Sequence, residues 1–353
     1  MTPSKSLNSL LYPIIQGPMA GGYCTPALVA AVSNAGGLGS LPGSLLAPAA
    51  IREQVAQIRA LTTAPFLLNF FVQQTPAPLD AEIAAASELL RPVWETLGWQ
   101  ALPRPAAWCQ DFNAQFETLL ELAPAAASFT FDILGADQVA RLHGAGIEVF
   151  GTVTTVDEAL AWQAAGADGV IASGVEAGGH RGTFIGRQQD ATLLARELWP
   201  LVAAAVDIPV IAAGNIMDGA DIRAALDLGA SAVQMGTAFL VTDEAAVHPA
   251  YKKALLAGHQ TTRLTRAFSG RYARGIVNTF MEQMISVEDQ VPAYPVQNAL
   301  TGSIRAAAAA AGDAQNMSLW AGAGVNRARP MPVAQLMRTL AAELQRAQTA
   351  SNN

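Results

Sequence analysis

Short apolar runs alternate with longer, Ala-rich stretches over the first two thirds of the 353-residue chain. Several of these runs contain almost no polar residue, which is typical of parallel strands that are covered on both faces. Eight such runs occur in order, and each is predicted to be a β-strand: residues 12–16, 38–41, 66–71, 128–131, 148–153, 169–173, 209–213 and 232–236.

The stretches between the runs have the spacing of helices, most clearly at 25–35, 49–61 and 156–165. A further one, 219–228, ends at a Gly-Ala pair that leads directly into the eighth predicted strand. Glycine accepts the left-handed conformation that closes a helix. Eight βα units in succession favour an α/β fold of the closed (β/α)8 TIM-barrel type over an open sheet.

Two segments interrupt this regular spacing. Residues 73–127, between the third and fourth predicted strands, hold an enlarged helical insertion with three of the six tryptophans. Residues 242–317 follow the eighth strand and are predicted to form an added helical segment that covers the substrate. The barrel domain is therefore predicted to comprise residues 1–241 together with 318–353.

The end of the chain is predicted to close the barrel with a helix over 330–348. Leu336, Leu340 and Leu344 recur there on one helical face. Residues 349–353 are expected to fray.

Composition excludes several classes of partner. The net charge is −7, and lysine occurs only at positions 5, 252 and 253, so no basic stripe is available to bind nucleic acid. Polar residues interrupt every apolar run before the ~18 residues that would span a bilayer, so no membrane is expected. The first eleven residues lack the layout of a signal peptide. A cytoplasmic enzyme, either monomeric or homodimeric, is the simplest interpretation.

Cysteine and histidine usage predicts no metal site. Cys24 and Cys109 do not have the spacing of a metal-binding pair, and a reduced pair is favoured over a disulfide. The four histidines are too scattered for a zinc motif. His143, His248 and His259 are predicted to be surface or helix-capping residues.

Candidate chemistry is concentrated where the predicted strands end, which is where barrel enzymes carry their active sites. Glycine or a polar residue stands at the end of the first, third, sixth, seventh and eighth strands. In this fold a phosphate group binds after the last two strands, held by backbone amides and a helix N-terminus rather than by lysine. Gly214 and Gly236 stand there, and phosphate binding is favoured over two independent tight turns.

Six segments at these positions resemble nitronate monooxygenases, formerly called 2-nitropropane dioxygenases. They are residues 13–19, 128–131, 176–182, 212–219, 234–240 and 268–278, and they cover most of the chain in the family's order. The resemblance implies an FMN-containing TIM barrel with a helical segment closing over the flavin. It also implies oxidation of alkyl nitronates, such as propionate 3-nitronate, by O2 to a carbonyl compound and nitrite.

The resemblance also implies residue roles. One group of residues would lie along the flavin ring or its ribityl chain, and another would hold the phosphate or the backbone beside it. The implied cofactor-binding residues are Gly17, Pro18, Met19, Asn69, Gly178, Gly179, Ala213, Gly214, Gln234, Met235, Gly236 and Thr237. Two positions depart from the family pattern: Asn215 stands where many members have Gly, and Phe131-Asp132 follows strand four where Lys or Gly is frequent.

His180 matches the family histidine beside the substrate and is predicted to be catalytic. Its imidazole has two possible roles, which the sequence leaves open: to remove a proton from a nitroalkane carbon, or as a cation to hold a nitronate. Ser269, Arg271 and Tyr294 are predicted to bind the substrate, although a salt bridge or ordinary packing is equally compatible with Arg271 and Tyr294. Arg181 is predicted to pair with Glu176 or to fix the loop.

Three other functions compete. An NAD(P)H-dependent FMN enoyl-ACP or quinone reductase would share the fold and most flavin contacts. An enzyme like inosine monophosphate dehydrogenase needs a cysteine after the sixth strand, where this chain has none. A flavin-binding protein without turnover is also compatible with so permissive a fold.

Overall fold

The computed structural model describes residues 4–351 and contains two β-sheets. The strands are β1 (Ile14–Gln16), β2 (Gly39–Pro42), β3 (Phe66–Phe71), β4 (Ala126–Thr130), β5 (Glu148–Val153), β6 (Gly169–Ser173), β7 (Gly179–His180), β8 (Val210–Ala213), β9 (Ala232–Met235), β10 (Thr262–Thr265) and β11 (Ala273–Ile276). Eight of them are parallel and form one sheet in the order β1-β9-β8-β6-β5-β4-β3-β2. A parallel bridge between Ile15 and Leu38 joins β1 to β2 and closes the barrel.

Helices cover the outside of the barrel and its mouth. They are α1 (Lys5–Asn8), α2 (Pro26–Asn34), α3 (Pro48–Leu61), α4 (Asp80–Leu89), α5 (Arg91–Trp94), α6 (Phe112–Leu122), α7 (Ala136–Gly144), α8 (Val156–Ala165), α9 (Ala195–Ala205), α10 (Gly219–Asp227), α11 (Pro249–Leu255), α12 (Thr279–Met284), α13 (Val296–Leu300), α14 (Gly302–Ala311) and α15 (Val333–Ser351). None of these helices is long and apolar enough to cross a membrane.

The (β/α)8 prediction is confirmed, because all eight predicted strands are present in one parallel barrel. Their bounds differ from the prediction by at most a few residues; the strand predicted at 128–131 runs from Ala126 to Thr130. Burial on both faces explains the apolar runs, since every residue of β1, β3 and β6 is buried. Gly166 ends α8 in the left-handed conformation, with φ +93°.

Residues 242–317 were predicted to form a helical segment, but part of this segment is β-strand. It contributes β10 and β11, which form a separate antiparallel sheet with β7 in the order β10-β11-β7. In this sheet Ala273 pairs with His180, and Arg274 pairs with Gly179. The sequence did not indicate this sheet because its strands, GH, TRLT and ARGI, lack the apolar runs by which the barrel strands were recognised.

A second apolar cluster lies beside the barrel core. The insertion after β3 contributes Leu90 and Trp94, and the segment after β9 contributes Phe268, Phe280 and Met281. The rings of Phe268 and Phe280 stack with their centroids 4.1 Å apart. The two interruptions of the barrel pattern therefore pack against each other.

The predicted closing helix is α15, which packs against α10 and α2. Its three leucines at 336, 340 and 344 are buried, as predicted. The helix runs to Ser351, so residues 349–351 are helical rather than frayed, whereas 352–353 lie outside the described residues.

Candidate active site

A cavity of about 230 Å³ opens at the carboxyl ends of the barrel strands. All twelve residues predicted to bind the cofactor line it, and so do His180 and Tyr294. The covering segment adds Asn298 and Arg305, and Trp320 from the stretch that follows it also lines the cavity. Barrel and cover thus enclose a single site.

The parallel register explains why the glycines meet. Gln16 pairs with Met235, and Ala213 pairs with Gln234, so the residues that follow these strands emerge at one edge. Gly214 has φ +112°, a conformation that favours glycine over other residues. At Gly236 a Cβ would meet only the side chain of Met19, at 3.8 Å, so the glycine leaves cavity space open beside the backbone.

These residues fit a flavin mononucleotide. Gln234 lines the cavity, and its buried Oε1 has no hydrogen-bond partner among the described residues. An unpartnered buried amide is costly unless a ligand satisfies it. Thr237, beside Gly236, accepts a hydrogen bond at Oγ1 from the amide of Gly322, 3.0 Å away, which fixes the loop at the expected phosphate end.

The two departures from the family pattern fall at unusual backbone conformations. Asn215 has φ +55° and Phe131 has φ +86°. Asparagine tolerates the left-handed region, whereas a bulky aromatic residue there is strained. Glycine would adopt both conformations without strain.

His180 is held from behind by Ser269. The imidazole Nε2 lies 2.9 Å from Ser269 Oγ, and that oxygen lies 3.0 Å from the backbone oxygen of Arg271. Three aromatic rings surround the imidazole at centroid distances of 5.4 Å (Trp320), 5.5 Å (Phe131) and 5.7 Å (Tyr294). The histidine therefore stands in an apolar pocket with one fixed ring nitrogen.

Burial, together with the positive charges of Arg271 and Arg305, lowers the pKa of His180 to about 3. The imidazole is therefore neutral at physiological pH in the ligand-free protein. Of the two roles left open by the sequence, that of a permanent cation is disfavoured.

Ser269 and Arg271 lie outside the cavity lining. The Arg271 guanidinium donates from Nε to the backbone oxygen of Arg181 at 2.8 Å, and from Nη2 to that of Thr183. It also lies 4.3 Å from the centroid of the Phe131 ring. The Arg271 guanidinium therefore holds protein structure together rather than lining the cavity.

Arg181 fixes the loop after β6, as predicted. It is buried and donates from Nη1 to the backbone oxygens of Ser173, at 2.9 Å, and Gly174, at 2.7 Å. Glu176 instead accepts from the amide of Ala195.

The remaining histidines have the predicted surface and capping environments. His248 caps α11 by accepting from the amide of Ala250, and the ring of His143 lies 2.8 Å from the Asp168 carboxylate. Cys24 and Cys109 are free thiols, and burial raises the pKa of Cys24 to about 12. Residues 4–351 contain no cluster of three or more His, Cys, Asp or Glu able to hold a metal ion.

The cavity side chains that sequence reasoning missed include Tyr23, Tyr251, Arg305 and Trp320. Three of these four are aromatic residues, and no motif in the neighbouring sequence marks them as site residues. Arg305 did carry a signal, because it is the only charged residue of the Ala-rich helix α14.

A TIM barrel with a glycine-lined cavity and a histidine at its strand ends has the architecture of a (β/α)8-barrel enzyme. The model of the family described as nitronate monooxygenase matches residues 4–343. The chain belongs to the nitronate monooxygenase family.

Individual relatives agree with this assignment. A Bacillus subtilis protein named "Probable nitronate monooxygenase" is 40% identical over 342 residues, which are 95% of this chain and 96% of that protein. The solved nitroalkane oxidase of Streptomyces ansochromogenes is 41% identical, with a TM-score of 0.90 over 98% of this chain and 99% of that one. FabK from Thermotoga maritima is 27% identical, with a TM-score of 0.77 over 100% and 99% of the two chains.

Proposed function

We propose that the chain is an FMN-dependent nitronate monooxygenase that oxidises alkyl nitronates, such as propionate 3-nitronate, with O2 to a carbonyl compound and nitrite. The observation that carries the proposal is that His180 and all the family's strand-end motif residues share one cavity. FMN, when bound, takes electrons from the substrate and passes them to O2, while the protein orients both reactants.

The strand-end residues would hold the cofactor. Gly214, Gly236 and Thr237 would bind the phosphate through backbone amides, which suits a site without lysine. The buried amide oxygen of Gln234 would accept a hydrogen bond from the flavin. Gly17 and Met19 would lie along the ring.

His180 would bind the reacting group. A base whose conjugate acid has a pKa of about 3 is poorly matched to removing a proton from carbon near neutral pH. This supports a substrate that arrives as the nitronate, already ionised, rather than as the neutral nitroalkane. Ser269 holds Nε2, so Nδ1 is the ring nitrogen left for the substrate; it would donate to a nitronate oxygen in the tautomer in which Ser269 gives its hydroxyl proton to Nε2 instead of to the Arg271 carbonyl.

Aromatic side chains would exclude water above the flavin. Phe71, Tyr294 and Trp320 line the cavity on the side of His180. An apolar wall strengthens hydrogen bonds to the reacting group by lowering the local dielectric constant.

The test is anaerobic mixing of the flavin-loaded protein with propionate 3-nitronate, without nicotinamide. We expect rapid loss of the oxidised-flavin absorbance, and formation of nitrite when O2 is admitted. Heat release of the bound flavin, followed by chromatography, should yield FMN. His180→Ala should keep the flavin but slow the bleaching, because the cofactor contacts remain.

The competing reductase makes the opposite prediction. An NAD(P)H-dependent enoyl-ACP or quinone reductase would show no bleaching with the nitronate and rapid bleaching with NADH or NADPH. That result would overturn the proposed reaction and leave the fold and the cofactor site unchanged.

A further inference from the structure

Arg305 stands apart from every other charged residue near the site. It lies in the first turns of α14, whose other residues are Gly, Ser, Ile and Ala. Among the described residues that line the cavity, it is the only one with a permanent charge, and none is a carboxylate. The cavity therefore carries one fixed positive charge.

The guanidinium of Arg305 is only partly satisfied. Its Nη2 donates to the backbone oxygen of Asn298 at 2.7 Å and to Asn298 Oδ1 at 3.1 Å. Its Nε is buried and has no hydrogen-bond partner among the described residues. Burial lowers the pKa of Arg305, and the neighbouring phenol groups of Tyr23 and Tyr294 oppose this shift.

The buried arginines nearby are different. Both Nη atoms of Arg181, and Nε and Nη2 of Arg271, donate to backbone carbonyls. The Nε of Arg181 is also buried without a partner among the described residues, but Arg181 and Arg271 lie outside the cavity lining. Those two residues stabilise structure. Arg305 is left facing a cavity with a donor unused.

Arg305 is also badly placed for stability alone. Burial of a cation without an anion is costly, and a positive charge near a helix N-terminus opposes the helix dipole. Both costs fall when an anion binds in the cavity. The charge of Arg305 also acts on His180, so the anion would lie on the histidine's side of the cavity.

We propose that Arg305 determines substrate specificity by binding a planar, two-oxygen anionic group of the substrate in this cavity. A nitronate and a carboxylate both present two oxygens in one plane, which the planar guanidinium fork matches. The identity of the substrate in this inference rests on the proposed function. The binding of an anion by Arg305 does not.

The test compares Arg305→Met with wild type, using the flavin-loaded protein and two unreactive probes, propionate and the uncharged propionamide. Calorimetric titration should show propionate binding about 10- to 100-fold weaker in the variant, as expected for the loss of a charge-assisted hydrogen bond. Propionamide binding should stay unchanged. Arg305→Lys should lose part of the affinity, because it keeps the charge without the fork.

The control is Arg52→Gln, which removes an exposed, ion-paired arginine on α3 outside the cavity lining and should bind both probes as wild type does. Unchanged propionate binding in Arg305→Met would overturn the inference. If Arg305→Met does not fold, the same titrations of the wild-type protein provide the test. Equal affinity of the wild type for propionate and propionamide would also overturn the inference.

Two nitronates identify the group that is bound. If Arg305→Met raises the KM of propionate 3-nitronate but not that of ethyl nitronate, Arg305 binds the carboxylate. If both rise, it binds the nitronate. If no nitronate is oxidised while propionate binding still depends on Arg305, the proposed function fails and this inference stands.

Discussion

Ser269 Oγ lies 2.9 Å from Nε2 of His180, yet Ser269 is not among the residues that line the cavity. The two residues meet because β7 and β11 are paired, which brings the covering segment against the loop after β6. Ser269 is also tied to the backbone oxygen of Arg271. It acts on a substrate only through the orientation of the imidazole and is therefore a positioning residue.

Ser269→Ala should lower kcat about 5-fold, because the loss of a hydrogen bond worth about 1 kcal/mol frees the imidazole to rotate. Flavin content should not change, and steady-state oxidation of propionate 3-nitronate measures the effect. Ser40→Ala is a matched control, since Ser40 Oγ is buried without a partner and outside the cavity lining. If both variants lose activity equally, the role assigned to Ser269 is wrong.

The depressed pKa of His180 predicts a pH dependence of stability. An unfolded histidine titrates near 6.5, whereas His180 titrates near 3 in the folded chain. Between these values the unfolded state binds more protons, so the stabilisation is complete above about pH 6.5 and is lost as the pH falls towards 3. His180→Gln should therefore lose less stability than wild type between about pH 7.5 and about pH 5 in urea titrations. Equal losses in the two proteins would contradict this.

The barrel and the strand-end residues were predictable because their signals are local. A parallel strand covered on both faces needs an apolar run, as in β3, and Gly214 with φ +112° needs glycine. The role of each such residue can be recognised from its own stretch of sequence. The order of the strands then brings their ends together without further information from the sequence.

The cover was not predictable in the same way. Tertiary packing decides whether an arginine side chain binds a backbone carbonyl or faces a cavity. As isolated residues in the sequence, Arg271 and Arg305 were equally good candidates for the site. Arg271 is turned towards the loop by the pairing of β11 with the two-residue strand β7, which has no recognisable period. Arg305 is set in the cavity by α14, whose alanines carry no directional pattern.

Arg271→Met should destabilise the fold more than it weakens substrate binding. The substitution removes charged donors from the backbone oxygens of Arg181 and Thr183, and each such bond contributes about 1.5–3 kcal/mol. We expect the free energy of unfolding, measured by urea titration, to fall by about 3 kcal/mol. Arg187→Met is the control, because its ion pair with Asp190 is exposed and contributes little.

An unchanged free energy of unfolding combined with a large rise in KM would contradict this assignment. Arg271 would then have the substrate-binding role predicted from the sequence. For Arg305 we expect the opposite ratio, because its guanidinium lines the cavity and its Nε has no partner among the described residues, although Nη2 binds Asn298.

Gly236→Ala should separate cofactor binding from folding. The added methyl group would meet only the Met19 side chain, at 3.8 Å, so the stability of the protein stripped of flavin should stay within about 0.5 kcal/mol of wild type. The same methyl group would occupy the space beside the backbone where the flavin phosphate is proposed to bind. We expect FMN affinity, measured by fluorescence quenching, to fall about 10-fold or more. Gly144→Ala, at the end of α7 with nothing within 4 Å of the new Cβ, should leave that affinity unchanged. Wild-type affinity in Gly236→Ala would mean that the phosphate lies elsewhere.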